Sequence, residues 1–181
     1  MAYSRLNAVS PLDGRYRDAL KEMALFFSES ALMKYRLKVE VEYLIALSKE
    51  RSVKGLPKIS PSDQVQLRKI YQNFNERGRK KVKKLEAITN HDVKAIEYYI
   101  QEKTNKKLHP WIHFALTSED INNLSYSLMW QGGLTQAYLP MLRSLNNDLK
   151  RFARRFRGVP MLSLTHGQPA TPTSFGKEVA V

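Results

Sequence analysis

Residues 30–52 read SALMKYRLKVEVEYLIALSKERS. Within this stretch Leu32, Tyr35, Val39, Tyr43 and Leu47 recur at spacings of three and four, with Lys34, Arg36, Lys38 and Glu40 between them. That spacing predicts an amphipathic helix whose apolar stripe faces a core. Gly55 and Pro57 mark its end, and Ser60-Pro61 supplies an N-cap residue followed by proline in the first turn of the next helix. Val65, Ile70 and Phe74 offer a second buried stripe, Gly78 marks a break, and Lys106 to Pro110 reads as a connection. From Ile121 to Arg157 the helical pattern resumes. Interruptions are expected near Gly132-Gly133 and around Leu139-Pro140, because proline inside a helix removes a hydrogen bond and crowds the preceding turn. No repeat, low-complexity segment or hairpin is evident. The expected fold class is all-α, with an N-terminal helical domain over residues 1–112 and the beginning of a long central helical bundle over residues 113–181.

Composition narrows the functional classes. A chain of 181 residues that is 43% hydrophobic can bury a core. It has no cysteine, which excludes a disulfide framework, a thiolate metal site and a cysteine nucleophile, and fits a reducing cytoplasm. Met1 to Val9 lack a basic segment followed by an apolar run, and no uncharged apolar run reaches the roughly 18 residues needed to span a bilayer. A soluble cytoplasmic protein without a membrane partner is therefore expected.

The formal charge is +13 and the isoelectric point about 9.9. Much of the excess is local, in Arg77, Arg79, Lys80, Lys81, Lys83 and Lys84, and again in Lys150, Arg151, Arg154, Arg155 and Arg157. Such runs are commonly solvated helix faces. A basic nucleic-acid-binding module is the competing reading, but neither run carries the interleaving of aromatics or glycines that such binding favours. Nucleic acid is not expected as a partner.

Three segments put polar and ionisable groups at expected helix starts, where unpaired N–H groups and the helix dipole favour anions. In Thr89-Asn90-His91-Asp92, Thr89 and Asp92 have capping-box spacing, which would place His91 in the first turn. In the segment from His113 through Thr117, Ser118 and Asp120 to Asn122-Asn123, Thr117 and Asp120 repeat that spacing. In Thr165-His166-Gly167-Gln168-Pro169-Ala170-Thr171-Pro172, Thr171-Pro172 resembles an N-cap and first helical residue. Singly each is only a cap; together they ask for more. The four histidines, His91, His109, His113 and His166, lack metal-ligand spacing, no glycine-rich phosphate loop occurs, and no nucleophile elbow supports a Ser118-His166-Asp120 triad. No metal is expected.

Together with Ser10-Pro11-Leu12-Asp13-Gly14-Arg15-Tyr16, these segments resemble, in this order and at these intervals, the adenylosuccinate lyases, a branch of the fumarase and aspartase superfamily. The Thr-Ser-x-Asp element alone would indicate only the superfamily. The resemblance implies a small nucleotide substrate and a β-elimination that releases fumarate from adenylosuccinate and from the succinyl-carboxamide ribotide, without a cofactor. It implies that Arg15 and Tyr16 bind the phosphate region, that Asn90, His91 and Asp92 contact substrate, and that Thr117 and Ser118 bind the succinyl carboxylates. His166 is then the general acid, with His113 and Gln168 in support. It further implies a homotetramer whose active sites are shared between subunits. The family's loop Ser-Ser-x-Met-Pro-x-Lys-x-Asn-Pro, which carries the serine base, does not occur in these 181 residues. The expectation is therefore the N-terminal portion of a longer enzyme, inactive alone.

Overall fold

Ser28 starts the longest helix by accepting the Ala31 N–H at 3.1 Å. A computed structural model describes residues 7–181, which divide into two compact units, one ending at Gly133 and the other running Leu134–Val181. The first unit contains α1 (Lys21–Phe27), α2 (Glu29–Leu47), α3 (Pro61–Gln72), α4 (Glu76–Thr89), α5 (Asp92–Gln101), a 3₁₀ helix at Lys106–Trp111 and α6 (Ser118–Gly133). The all-α expectation holds for this unit. The Met1–Val9 reading extends into residues 1–6, which lie outside the described residues.

Helix α2 is buried around far more of its circumference than its predicted stripe. Leu37, Val41, Leu44 and Ile45 are in the core with Leu67 of α3, Val82 of α4 and Ile96 and Ile100 of α5. Val39 joins a second cluster with Val93 and Ile121, against which Leu116 and Leu128 pack. Of the predicted stripe only Val39 is buried; Leu32, Tyr35, Tyr43 and Leu47 are half-buried, whereas Arg36 and Glu40, expected on the wet side, are buried. The cause is competition between faces. Met33, Leu37, Val41 and Leu44 form an equally apolar row, and each such side chain fully buried is worth roughly 1.5–3 kcal/mol.

Local chemistry explains the other boundaries. Ser60 caps α3 by accepting the Asp63 N–H at 3.2 Å, with Pro61 in the first turn, as expected. Val65 is exposed and Leu67 takes its place inside. Gly78 does not break a helix: it lies in the first turn of α4, where Asn75 Oδ1 accepts its N–H at 3.2 Å. A Cβ on Gly78 would lie 2.8 Å from the Phe74 ring and 2.9 Å from Tyr99 Oη, so glycine there serves close packing. Helix α6 ends at Gly132-Gly133, near the expected interruption.

The second unit comprises a π-helical turn at Leu134–Tyr138, α7 (Leu139–Arg155) with Pro140 in its first turn, strands β1 (Pro160–Thr165) and β2 (Gln168–Ser174), and α8 (Phe175–Ala180). The hairpin was not anticipated. β1 and β2 pair antiparallel, with a register shift between Leu162 and Leu164, and Ser163 Oγ donates to the Thr171 carbonyl at 2.7 Å. Pro169 and Pro172 are tolerated because a two-stranded ribbon has an open edge on each side of the pair. The expected helix start at Thr171-Pro172 is therefore wrong: both lie in β2, and Ser174 caps α8 by accepting the Lys177 N–H at 3.3 Å. Phe152, Phe156 and Phe175 pack ring against ring at 4.6–5.6 Å and join α8 to α7. No helix of the described residues is long and apolar enough to cross a membrane.

Candidate active site

The Asn-His-Asp segment is the junction of α4 and α5. Asn90 ends α4 in the left-handed region at φ 51°, a conformation asparagine accepts more readily than most residues. The N-cap of α5 is His91 and not Thr89, because His91 Nδ1 accepts the Lys94 N–H at 3.2 Å. That bond requires a bare Nδ1, so the proton of the neutral ring is on Nε2, which is left as a donor. Thr89 Oγ1 donates to the His91 carbonyl at 3.0 Å and thereby braces the turn. Asn90, His91 and Asp92 line an open cleft of about 500 Å³ with Lys83 and Glu86.

Asp92 is held from both sides. Its Oδ1 accepts the Val93 N–H at 2.8 Å, and its Oδ2 meets Arg36 Nη2 at 2.7 Å. Partial burial pushes its carboxyl up, but the Arg36 guanidinium and the Val93 N–H outweigh this and hold it below the usual carboxylate range. Arg36 also donates through Nε to Asn122 Oδ1 at 3.0 Å. One buried guanidinium thus ties the α5 start to α6.

The segment before α6 is bent sharply, with His113 at φ 61° and Ala115 at φ 57°. Two non-glycine residues in the left-handed region store strain that the surroundings must maintain. They do so from α2: Tyr43 Oη donates to the Phe114 carbonyl at 2.9 Å, and Glu40 Oε1 meets His113 Nδ1 at 2.6 Å. Across the ring, His113 Nε2 lies 3.9 Å from Glu97 Oε1, whose other oxygen meets Lys94 Nζ at 2.8 Å. Burial pushes the Glu40 carboxyl up, partly offset by the hydrogen bond to His113.

The Thr117 and Asp120 capping box forms as expected. Asp120 Oδ2 accepts the Thr117 N–H at 2.7 Å and the Thr117 hydroxyl at 2.8 Å, and these bonds hold its carboxyl below the usual range. Thr117 is therefore committed to the cap, while Ser118 Oγ has no hydrogen-bond partner among the described residues. Arg15 stacks over the Tyr16 ring at 5.6 Å, both exposed. No hydrogen bond or ion pair of the described residues joins this pair to the other candidates.

His166 and Gln168 belong to the second unit. His166 and Gly167 form the two-residue tip between the paired Thr165 and Gln168, at φ 50° and 78°. Two consecutive positive φ values are what a type I′ hairpin turn requires, and asparagine or glycine ordinarily supplies the first. Histidine there is exposed and held in an uncommon conformation, which marks it for attention.

Comparison with known proteins adds a second, independent line. Residues 14–181 match the lyase family model. The chain belongs to the lyase family. An adenylosuccinate lyase from Dictyostelium discoideum is 44% identical over 186 residues, covering 98% of this chain and 40% of that protein. One from Haemophilus influenzae is 43% identical and one from Escherichia coli strain K12 is 44% identical, each covering 99% of this chain and 41% of the relative. The chain spans about 40% of the length of these relatives. A crystal structure of a fumarate lyase from Mesorhizobium sp. BNC1 superposes with a TM-score of 0.68 at 21% identity, covering 88% of this chain and 36% of that one. It supports the mainly helical fold.

In this lyase-family chain two site-holding residues escaped the sequence reading, Arg36 and Glu40. A signal existed. Residues 30–47 carry apolar side chains on most helical faces, so a charged residue drawn inside with them had to find a partner there. The basic run of α4 is largely neutralised locally: Arg79 and Lys80 meet Glu76, Lys81 meets Glu102, and Lys83 meets Glu29 and Glu86.

Proposed function

We propose that the chain supplies substrate-binding and acid-catalytic residues of an adenylosuccinate lyase, acting as a cytoplasmic homotetramer with shared active sites. The observation that carries this reading is identity of 43–44% to such enzymes across 98–99% of the chain, with all four motifs inside the matching span. The domain division at residues 112 and 113 is part of the same proposal.

In this reading the dianionic succinyl group meets Ser118 and the α6 N-terminus, the Asn90-His91-Asp92 turn orients the substrate through the His91 Nε2–H, and Arg15 takes the phosphate. Helix starts and a guanidinium suit such an anion. Elimination removes a proton from the carbon beside a carboxylate, delocalises the electron pair into that carboxylate, and breaks the C–N bond to give fumarate. His166 delivers a proton to the departing nitrogen. The base that takes the carbon-bound proton is assigned to none of these residues.

The test is a chimera in which residues 1–181 replace the aligned segment of the Escherichia coli relative. It is expected to release fumarate from adenylosuccinate. His166→Asn in that chimera is expected to keep substrate affinity and lose most of kcat, on the order of 10²–10⁴-fold, the usual weight of a general acid. The corresponding His91 variant is expected to lose both affinity and rate. A folded chimera without fumarate release sinks the function, and a His166→Asn enzyme with near-normal kcat removes that residue from the mechanism.

A further inference from the structure

We propose that Glu40 is a positioning residue of this site, whose carboxylate accepts the Nδ1 hydrogen of His113 and fixes both the orientation and the tautomer of that ring. The proposal rests on the lyase reading for the site's purpose and on geometry for the assignment. Glu40 is fully buried in the middle of α2 and lies 73 residues from His113 in the chain. The 2.6 Å separation of Oε1 from Nδ1 is that of a charge-assisted bond, and in the proposed state the ring nitrogen carries the proton and the carboxylate accepts it. Nε2 is then the nitrogen left without a hydrogen, on the side where Glu97 Oε1 stands 3.9 Å away.

A purely structural acid would be expected to satisfy both its oxygens. Glu40 Oε2 is buried without a hydrogen-bond partner among the described residues, a cost the fold carries without structural return. The arrangement is also not isolated. Arg36, Glu40 and Tyr43 occupy positions i, i+4 and i+7, one face of α2, and each holds a different part of the site motifs: Asp92 with Asn122, His113, and the Phe114 carbonyl. The His113 backbone is itself in the left-handed region at φ 61°, and the contact with Glu40 is what holds its ring nitrogen Nδ1. The charged groups around the ring are Glu40 from α2, Glu97 and Lys94 from α5, and Asp120 at the start of α6.

Isotope-labelled NMR of the histidine rings in the 181-residue chain tests the assignment, with His113 identified by the signal lost in His113→Asn. His113 is expected to carry a hydrogen on Nδ1 with a strongly deshielded, slowly exchanging resonance, and Glu40→Gln is expected to lose that resonance while circular dichroism stays unchanged. A bare Nδ1 in the wild-type chain overturns the proposal, and this spectrum decides even if Glu40→Gln does not fold. In the active chimera, Glu40→Gln is expected to lower kcat by about tenfold or more, the scale of carboxylates that orient histidines elsewhere. Unchanged kcat overturns the role in the site. If the wild-type chimera folds and releases no fumarate, the lyase reading falls separately, and the ring spectrum alone decides on Glu40.

Discussion

Glu42 accepts two hydrogen bonds from Arg68, at 2.8 and 2.9 Å, and one from Tyr71 Oη at 2.8 Å. The Arg68 bonds hold its carboxyl below the usual range against the opposing effect of burial. Asp92 is lowered too, so both groups bind protons more weakly folded than unfolded. Their stabilisation is present above the unfolded carboxylate pKa and is lost as pH falls through the lower folded values. Glu40 runs the other way: its folded pKa is raised, so its contribution is full at low pH and is lost as pH rises through that value. Glu42→Gln is expected to cost about 0.5–1 kcal/mol at neutral pH, a modest figure because the pair is a third exposed and water screens it. It should also flatten the loss of stability below about pH 4.5. Urea midpoints measured across pH check this, and an unaltered acid limb would remove Glu42 from the account. The same residue scale shows what a sequence hides. His91, His113, Thr117 and His166 stood out because capping and loop residues have local signatures, whereas Arg36 and Glu40 act through partners 56 and 73 positions away.

Between elements, glycine decides how closely helices approach. Gly176 is buried at the start of α8, where an added Cβ would run into the backbone of Ala153 and Arg157 at the end of α7. Backbone cannot step aside as a flexible side chain can. Gly176→Ala is therefore expected to cost about 1–3 kcal/mol, the range for overpacking, by lifting α8 and parting Phe175 from Phe152 and Phe156. Gly158→Ala, which meets nothing within 4 Å, is the matched control. Hydrogen exchange should quicken at Phe175–Ala180 in the first variant and not in the second; equal protection in both would show the close approach to be dispensable. Helix starts were legible at Ser60-Pro61 and at Thr117 to Asp120, whereas Thr171-Pro172 carries the same cap-and-proline signal inside a strand. The hairpin was not legible. Its strands contain Pro169 and Pro172 and lack regular alternation, and its tip carries histidine where asparagine would have announced the turn.

For the whole molecule, the question is what covers α7. Not one of its residues is buried, yet Leu142, Leu145, Leu149 and Phe152 follow one another at alternating intervals of three and four. Their exposures are 44%, 54%, 48% and 41%. That alternation is the seam of a helix packed in a bundle, and a row of large apolar side chains left wet favours association. In the first unit Leu124 and Trp130 of α6 are exposed as well, while Leu128 is already engaged with Val39, Val93 and Ile121. The chain is therefore expected to self-associate at micromolar concentration and above. Two forces could drive this, and salt separates them. Association of the basic runs with single acidic side chains of another copy would weaken as screening shortens to about 3 Å at molar ionic strength, whereas burial of the leucine seam would persist or strengthen. Light scattering at low and high salt, repeated with Leu145→Glu and Leu149→Glu combined, reads both. The expected result is a salt-resistant oligomer that the double variant converts to monomer with its helical content intact, and a wild-type chain that stays monomeric at high concentration in high salt would overturn the seam as an interface.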